Sequence, residues 1–324
     1  MDDIRSRREF LSIVAQAGGS VMLTGTGVHV PAEVPHSGPL PRRKLGRTET
    51  EVSIIGLGLA SLGMARYSPK EFRMVVEAAI EEGVSYFDMQ PDYGEAERLL
   101  APLLRQNRDR MFVVTKTWEK SKQGVLNSIA GSLERLRVPY IDAVLLNSIG
   151  SYDMKRLFDT EGPFAGLVEA RRRGQVRFLG LSGHYRPGHF VEALKSSKFD
   201  MVMAPFNFVD RHVYTFEQEI LPAAIKQDVG IVAMKTLGGA VGLKYDTRAQ
   251  TAMLLQDDHR SAIRYVLGLQ QMSCAVIGCK SVEEVHLATR AGREYHPLSE
   301  TEMTSVLAHG KELAAQWGAH YPEG

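Results

Sequence analysis

Short apolar runs with the composition of β-strands alternate with segments of helical period along most of the chain. The runs are rich in Val, Ile, Leu and Phe, and they recur at intervals of about 30 residues. They are VSIIGLG (52–58), VSYFD (84–88), MFVVTK (111–116), IDAVLLN (141–147), VRFLGLS (176–182), MVMAPFNF (201–208), GIVAMKT (230–236) and CAVIG (274–278).

Apolar residues between these runs recur at the spacing of one helix face. The segment that contains Phe72 ends at Gly83, and the segment that contains Phe190 begins at Pro187. Other segments cover 164–168, 216–225, 263–267 and roughly 299–316. This alternation predicts an α/β protein, and we expect a closed (β/α)8 TIM barrel with an extra C-terminal helix outside it. A doubly wound parallel sheet remains the alternative, because alternation alone does not show closure.

The N-terminal residues differ from the rest of the chain. The stretch SRREFLS places Arg7 and Arg8 before Phe10 and Leu11, and it resembles a twin-arginine export signal. The uncharged residues that follow include four glycines and are too weakly apolar to predict a membrane span. A basic amphipathic start without an export function is the alternative.

This resemblance leads to a division of the chain into three parts. We expect residues 1–32 to be a signal peptide that is cleaved after Ala32, so that the protein is exported to the periplasm by the twin-arginine machinery. Residues 33–43 are rich in proline and predict a linker. Residues 44–324 then form the barrel domain, and no break in the alternation predicts a second domain.

Composition excludes several classes of function. The formal net charge of +1 gives no general attraction to nucleic acid or to anionic lipid. Cys274 and Cys279 are the two cysteines of the chain, and they form neither a disulfide framework nor a zinc-binding pattern. We therefore expect no metal and no nucleic-acid partner.

Polar residues stand where several of the apolar runs end. They are Asp88, Lys116, Asn147, Ser182 and Lys235, and Tyr93 follows in the loop after the second run. The carboxyl ends of all strands of a (β/α)8 barrel meet at one mouth, where the active sites of such enzymes lie. The sequence therefore predicts a site that is built from these residues.

Several motifs, in matching order, resemble those of the aldo/keto reductase family. The stretch RKLGRTETEVSIIGLG resembles the opening hairpin and first strand of that family, and FDMQPDYG resembles its F-D-x-x-x-x-Y-G motif. VVTK, GLSG, VAMKTLGG and VIGCKSVEEV resemble its lysine strand, its nicotinamide turn, a seventh-strand motif and the cofactor loop after strand eight. The resemblance covers about Arg43 to Arg290 and implies reduction of a small carbonyl compound by hydride transfer from a nicotinamide cofactor.

The resemblance also implies roles for the residues at the mouth. Tyr93 would donate the proton, Lys116 would ease its ionisation, and Asp88 would orient the lysine. A structural salt bridge between Asp88 and Lys116, with Tyr93 packed in a loop, is the alternative. Asn147 stands where most members have a histidine that orients the carbonyl; an amide can donate a hydrogen bond but cannot carry charge. His184 lies one strand away and could partly replace that histidine.

Cofactor-binding positions are implied by the same resemblance. Ser182 matches a serine that contacts the nicotinamide, whereas Gly183 and Met203 stand where many members have Asn and Gln, and Met234 stands where many have a stacking Tyr. The expected contacts are Ser182, Gly183, Asn207, Met234, Lys235, Leu237, Gly238, Gly239, Lys280, Ser281 and Glu284. Lys280 and Ser281 could hold an adenosine 2′-phosphate, which favours NADP, although NAD remains possible. No cysteine follows Cys279, so we expect no C-terminal iron–sulfur cluster.

Two other functions remain open. The departure at Asn147 would also fit a catalytically weak barrel that binds a cofactor or ligand as a sensor or partner subunit. A lyase that forms a Schiff base at Lys116 or Lys235 is the other alternative.

Overall fold

A closed barrel of eight parallel strands forms the centre of the molecule in a computed structural model, which describes residues 38–64, 67–239 and 252–321. The strands are β3 (Ile55–Gly58), β4 (Tyr86–Asp88), β5 (Phe112–Thr117), β6 (Ile141–Leu146), β7 (Val176–Ser182), β8 (Met201–Pro205), β9 (Gly230–Met234) and β10 (Met272–Ile277). Each strand pairs with its neighbours in chain order, and β10 pairs with β3 to close the ring. The predicted (β/α)8 barrel is therefore confirmed, and the doubly wound sheet is excluded.

Helices surround the barrel, and a serine side chain caps the start of several of them. They are α1 (Ala60–Met64), α2 (Pro69–Glu81), α3 (Ala96–Gln106), α4 (Lys122–Leu136), α5 (Pro163–Arg172), α6 (Pro187–Leu194), α7 (Phe216–Ile225), α8 (Gln256–Leu267), α9 (Val282–Arg293) and α10 (Glu300–Trp317). Ser68 and Ser299 form capping boxes with Glu71 and Glu302, which satisfy the first free N–H groups of α2 and α10. No helix in the described parts of the chain is long and apolar enough to cross a membrane.

A two-stranded hairpin lies at the amino ends of the barrel strands. Its strands are β1 (Arg42–Lys44) and β2 (Glu51–Ser53). The prediction of one strand over 52–58 was therefore wrong, because the chain turns after Ser53. The backbone N–H of Ser53 bonds the hydroxyl of Ser85 and the backbone N–H of Ser85 bonds the hydroxyl of Ser53, both at 2.9 Å, which ends the hairpin strand there.

Two other runs end earlier than their apolar composition predicted. Strand β8 ends at Pro205, because the Asn207 side chain accepts hydrogen bonds from the N–H groups of Val209 and Asp210 and so turns the chain. Strand β9 ends at Met234, because Lys235 takes a left-handed conformation with φ of 59°. Both turns lie at the carboxyl end of the barrel, where the candidate site is formed.

The barrel interior is filled by side chains from alternate strand positions. Tyr86, Phe112 and Phe178 stack there, with ring centroids 5.7 and 6.1 Å apart. Leu45 from the hairpin closes the lower end of this inner cluster, and Met203 and Met234 form its upper part. The interior is thus solid, and open space begins only above the two methionines.

Helix α10 packs outside the barrel, as predicted, but the chain then returns to the mouth. Gly310 allows close contact with the backbone of Phe208, and the residues after Trp317 bury His320 and Tyr321. The Tyr214 hydroxyl accepts hydrogen bonds from the N–H groups of both buried residues, at 2.6 and 2.9 Å. The C-terminal segment therefore contributes to the wall of the mouth.

Gly46→Ala should destabilise the protein. Gly46 has φ of +49°, and an added Cβ would lie 2.3 Å from the backbone nitrogen of Gly230 and 2.5 Å from the carbonyl oxygen of Asp228. We expect the free energy of unfolding to fall by about 1–3 kcal/mol in urea titrations. Gly188→Ala is the control, since Gly188 lies in α6 with open space around it, and it should be neutral or stabilising by up to about 1 kcal/mol. Equal unfolding midpoints for the Gly46 variant and the wild type would contradict this account.

Candidate active site

A cavity of about 140 Å³ opens at the carboxyl ends of the strands, above the packed interior. Met203, Met234 and Val276 line it together with the polar residues Asp88, Tyr93 and Lys235. Leu237, Gly278 and Lys280 also line a groove of about 530 Å³ that runs between α8 and α9. The cavity and the groove are therefore continuous, and together they offer space for an elongated ligand.

The buried ion pair of Asp88 and Lys116 lies at this end of the barrel. Lys116 Nζ is 2.5 Å from Asp88 Oδ1 and 3.2 Å from the carbonyl oxygen of Met89, and the two side chains are only 3% and 7% exposed. Burial raises the pKa of Asp88, which the Lys116 charge opposes, and burial lowers the pKa of Lys116, which Asp88 opposes. Each group thus depends on the other to remain charged, and the predicted pairing is present.

Tyr93 lies directly beside this pair. Its ring centroid is 5.1 Å from Lys116 Nζ, and the half-buried side chain forms part of the cavity wall. Enclosure in that wall raises the pKa of Tyr93, and the nearby carboxylates Asp88 and Asp92 raise it further. The phenol therefore holds its proton at neutral pH, and the Lys116 ammonium lies over the face of its ring.

Asn147 is buried, and its amide is bonded within the chain. Its Nδ2 donates to Gln90 Oε1 at 2.7 Å, and its Oδ1 accepts from the Ser182 hydroxyl at 3.0 Å and from the backbone N–H of Ser148 at 3.0 Å. Asn147 is not among the residues that line the cavity. Its predicted contact with a carbonyl oxygen stays a prediction, because the amide lies outside the lining of the cavity.

Ser182 and Gly183 belong to the same layer below the cavity. Ser182 is fully buried, and its hydroxyl donates to Asn147. A Cβ at Gly183 would lie 3.1 Å from the backbone nitrogen of Ile149 and 3.2 Å from the Phe190 ring. This crowding is a physical reason for glycine at a position where the family resemblance led us to expect asparagine.

His184 follows these residues and lines the cavity, although its importance was only weakly indicated by the sequence. Neither ring nitrogen is accessible to solvent, and neither has a hydrogen-bond partner among the described residues. Burial lowers the pKa of His184 well below its usual range, and the charges of Lys235 and Lys116 lower it further. The imidazole is therefore neutral at neutral pH.

Lys235 enters the cavity from the end of β9. Its pKa is lowered to about 7, chiefly by burial and also by the charge of Lys116, while Asp88 and Asp210 partly oppose this shift. Asn207 fixes the backbone of this turn, because its Nδ2 donates to the carbonyl oxygen of Lys235 at 3.0 Å. The Asn207 amide also donates to Asp210 and accepts from two N–H groups, so its hydrogen-bonding positions are used within the chain.

Gly238 and Gly239 form a tight turn after Lys235. Gly238 has φ of +88°, and an added Cβ would lie 2.3 Å from the carbonyl oxygen of Ala252. A Cβ at Gly239 would lie 3.0 Å from the Tyr321 ring, so this glycine admits the C-terminal segment as well as leaving backbone near the cavity. The sequence indicated that these glycines let the backbone lie near the cavity, but it did not indicate the contact with Tyr321.

The start of α9 lies beside the groove. Lys280 is exposed and lines both spaces, while Ser281 caps the helix and accepts from the N–H of Glu284 at 3.1 Å. Glu284 Oε2 accepts from the backbone N–H of Lys280 at 2.6 Å, so Glu284 and Ser281 hold the loop that carries the lysine. Sequence reasoning missed Arg290 and Arg260, which also line the groove; the position of Arg290 on the same helix as this cap was the available signal.

Comparisons with known proteins identify the family. The model of the aldo/keto reductase family matches residues 54–261. The chain belongs to the aldo/keto reductase family. The described residues contain no group of three potential metal ligands from His, Cys, Asp and Glu side chains.

Relatives and solved structures agree with this family. The chain is 27% identical to the uncharacterized oxidoreductase YqkF of Bacillus subtilis over 84% of this chain and 97% of that one. It is 24% identical to pyridoxal 4-dehydrogenase of Microbacterium luteolum, over 75% and 90% of the two chains, and 24% identical to L-galactose dehydrogenase of Arabidopsis thaliana, over 86% and 98%. The holo form of aldo-keto reductase AKR11C1 from Bacillus halodurans has the same fold, with a TM-score of 0.69 at 23% identity over 87% and 99% of the chains. The protein is therefore an oxidoreductase of the carbonyl–alcohol type.

Lys116→Met should be strongly destabilising, because it leaves the Asp88 carboxylate buried without its partner. We expect the free energy of unfolding to fall by about 3–5 kcal/mol at pH 7, toward the lower end if the charge of Lys235 compensates in part. The double variant Asp88→Leu/Lys116→Met should recover most of the loss in urea titrations. Lys122→Met removes a half-buried partner of the exposed Glu161 and should change stability by less than about 1 kcal/mol. A double variant as unstable as Lys116→Met would refute the ion-pair explanation.

Proposed function

We propose that this protein catalyses the reversible, NADPH-dependent reduction of a small carbonyl compound, with Tyr93 as the proton donor. The observation that carries the proposal is the arrangement of Tyr93, Lys116 and Asp88 at one cavity, with a 2.5 Å ion pair and a lysine 5.1 Å from the tyrosine ring. Family membership supports the reaction class.

The residues around the cavity and groove fit a nicotinamide nucleotide. The cavity connects to a groove long enough for the rest of a dinucleotide, and Lys235, Lys280 and Arg290 are cations along this path. The hydroxyl of Thr236 is buried at the cavity without a hydrogen-bond partner among the described residues, so it is available to a ligand. When bound, the reduced nicotinamide would supply the hydride.

NADP is proposed over NAD because of the cations at the groove. Lys280 and Arg290 would attract a 2′-phosphate, and the N-terminus of α9 would add its N–H groups. A solved aldo/keto reductase from Klebsiella pneumoniae with NADP and acetate has a TM-score of 0.67 at 18% identity over 83% of this chain and 96% of that chain. The acidic residues Glu283 and Glu294 also line the groove, so the preference is expected to be moderate.

The protein's part in the reaction is the handling of one proton. Tyr93 holds its proton in the free enzyme, since its pKa is raised. As negative charge develops on the substrate oxygen, Tyr93 would donate that proton, and the Lys116 ammonium would stabilise the phenolate. Asp88 would keep the ammonium in place. Asn147 would act as a positioning residue that holds Gln90 and Ser182.

Tyr93→Phe should abolish turnover while leaving cofactor binding intact. Removal of the proton donor is expected to lower kcat by about 10²–10⁴. The measurement is nicotinamide absorbance with pyridoxal, L-galactose and a panel of simple aldehydes, beside NADPH binding followed by fluorescence. Tyr140→Phe is the control, since that ring packs on Arg108 outside the cavity. NADPH binding without turnover in the wild type would favour a cofactor-holding protein instead.

NADPH affinity should fall as pH rises above 7. In the free protein, Lys235 has a pKa of about 7, and a bound pyrophosphate would raise that pKa. Binding therefore requires no proton below pH 7 but takes up one proton between pH 7 and the higher pKa of the complex. We expect Kd to increase by up to about tenfold per pH unit in that range. Lys235→Arg should remove the dependence, because the guanidinium stays charged; an unchanged slope in this variant would assign it to another group.

We also propose that residues 1–32, which lie outside the described residues, direct export by the twin-arginine route. In a bacterial host with that pathway, the double variant Arg7→Lys/Arg8→Lys should keep the full chain inside the cell, whereas Arg5→Lys should not. Cell fractionation measures the outcome, and export of the double variant would refute the proposal. A cofactor bound before export would be released as free nucleotide when the exported protein is denatured.

A further inference from the structure

His184 has an unusual environment for a side chain that lines a cavity. It stands two residues after the end of β7 and lines the cavity, yet Nδ1 and Nε2 are both inaccessible to solvent and have no partner among the described residues. An unsatisfied buried polar atom destabilises the folded state, and folded proteins contain few of them. Nothing in the packing of the described residues offsets this cost.

The surroundings of His184 keep the imidazole neutral. Burial, Lys235 and Lys116 all lower its pKa. A neutral imidazole has one N–H donor and one acceptor nitrogen. Its ring lies beside Tyr321, with centroids 5.6 Å apart, and the Tyr321 hydroxyl donates to Asp210 at 2.6 Å. The Tyr321 ring thus packs against an imidazole whose ring nitrogens have no hydrogen-bond partner among the described residues.

Asn147, unlike His184, has hydrogen-bond partners among the described residues and does not line the cavity. Its amide donates to Gln90 and accepts from Ser182, and it does not line the cavity. The residue at the position expected to orient the carbonyl is therefore outside the cavity lining, whereas His184, after the neighbouring strand, lines the cavity and its ring nitrogens have no hydrogen-bond partner among the described residues.

We propose that His184 donates a hydrogen bond to the reacting oxygen of the substrate and so supplies the orienting group that Asn147 does not. The proposal rests on the proposed carbonyl reduction. Because neither nitrogen is accessible in the free protein, substrate binding must shift the His184 side chain or the Tyr321 ring beside it. His184 is then a catalytic residue, since it contacts the reacting atom.

The test uses the full chain with His184→Leu and His184→Gln, together with His189→Leu as a matched control. His189 is half-buried on the same segment, does not line the cavity, and has its Nδ1 3.4 Å from the carbonyl oxygen of Ile149. We measure kcat/KM on the best carbonyl substrate of the wild type, the Kd for NADPH, and the melting temperature. His184→Leu should lower kcat/KM by about 10²–10³, His184→Gln should lose less because it keeps a donor, and NADPH affinity should not change.

Stability separates this role from a structural one. Leucine removes two unsatisfied polar atoms, so the melting temperature of His184→Leu should be unchanged or higher than that of the wild type. Wild-type kcat/KM in His184→Leu would overturn the proposal while the reductase function stands. A loss of kcat/KM accompanied by a lower melting temperature and an equal loss in His184→Gln would also overturn it. If the wild type itself binds NADPH but reduces no carbonyl, the proposed function fails and this assignment fails with it.

Discussion

Closure of the barrel is the constraint on which the rest of the molecule depends. Strand β10 pairs with β3 through Ala275, Val276 and Ile277 opposite Ile55, Gly56 and Leu57. Because all eight strands are parallel, this pairing brings every carboxyl end to one rim, and residues from distant parts of the chain meet there. The interior below the rim is packed with apolar and aromatic side chains up to Met203 and Met234. A ligand can therefore enter only above them, where the strand ends carry polar groups.

Several charged side chains at the mouth of the barrel are buried from water. Asp88 and Asp210 are buried carboxylates, and burial raises the pKa of both, while it lowers the pKa of Lys116 and Lys235. Such groups stay charged only through one another, so each side chain sets the titration of its neighbours. This coupling makes the site costly in stability, and such clusters of perturbed titratable groups are typical of functional sites.

The unusual residues of the site are related through contacts. Asn147 accepts from Ser182, and Gly183 gives space to the backbone of Ile149 in the same layer. On the other side of the cavity, Gly239 leaves room for Tyr321, which packs against His184. The departures from the family pattern therefore coincide with specific contacts, in which the Asn147 amide bonds Ser182 and the His184 imidazole lines the cavity beside Tyr321.

The sequence by itself determined the alternation of strands and helices and the identity of the central groups. The periods of apolar residues and the residues that begin or end helices are local signals, and they predicted most of the strands and helices and the placement of Asp88, Lys116 and Tyr93 near strand ends. The tertiary structure decided between a closed barrel and an open sheet, and it decided which of those side chains remain available to a ligand. The partners of Asn147, the lack of a partner for His184 among the described residues and the return of Tyr321 to the mouth were not predictable. These features are hydrogen bonds and contacts between residues far apart in the chain, whereas local periodicity records only which face of an element is buried.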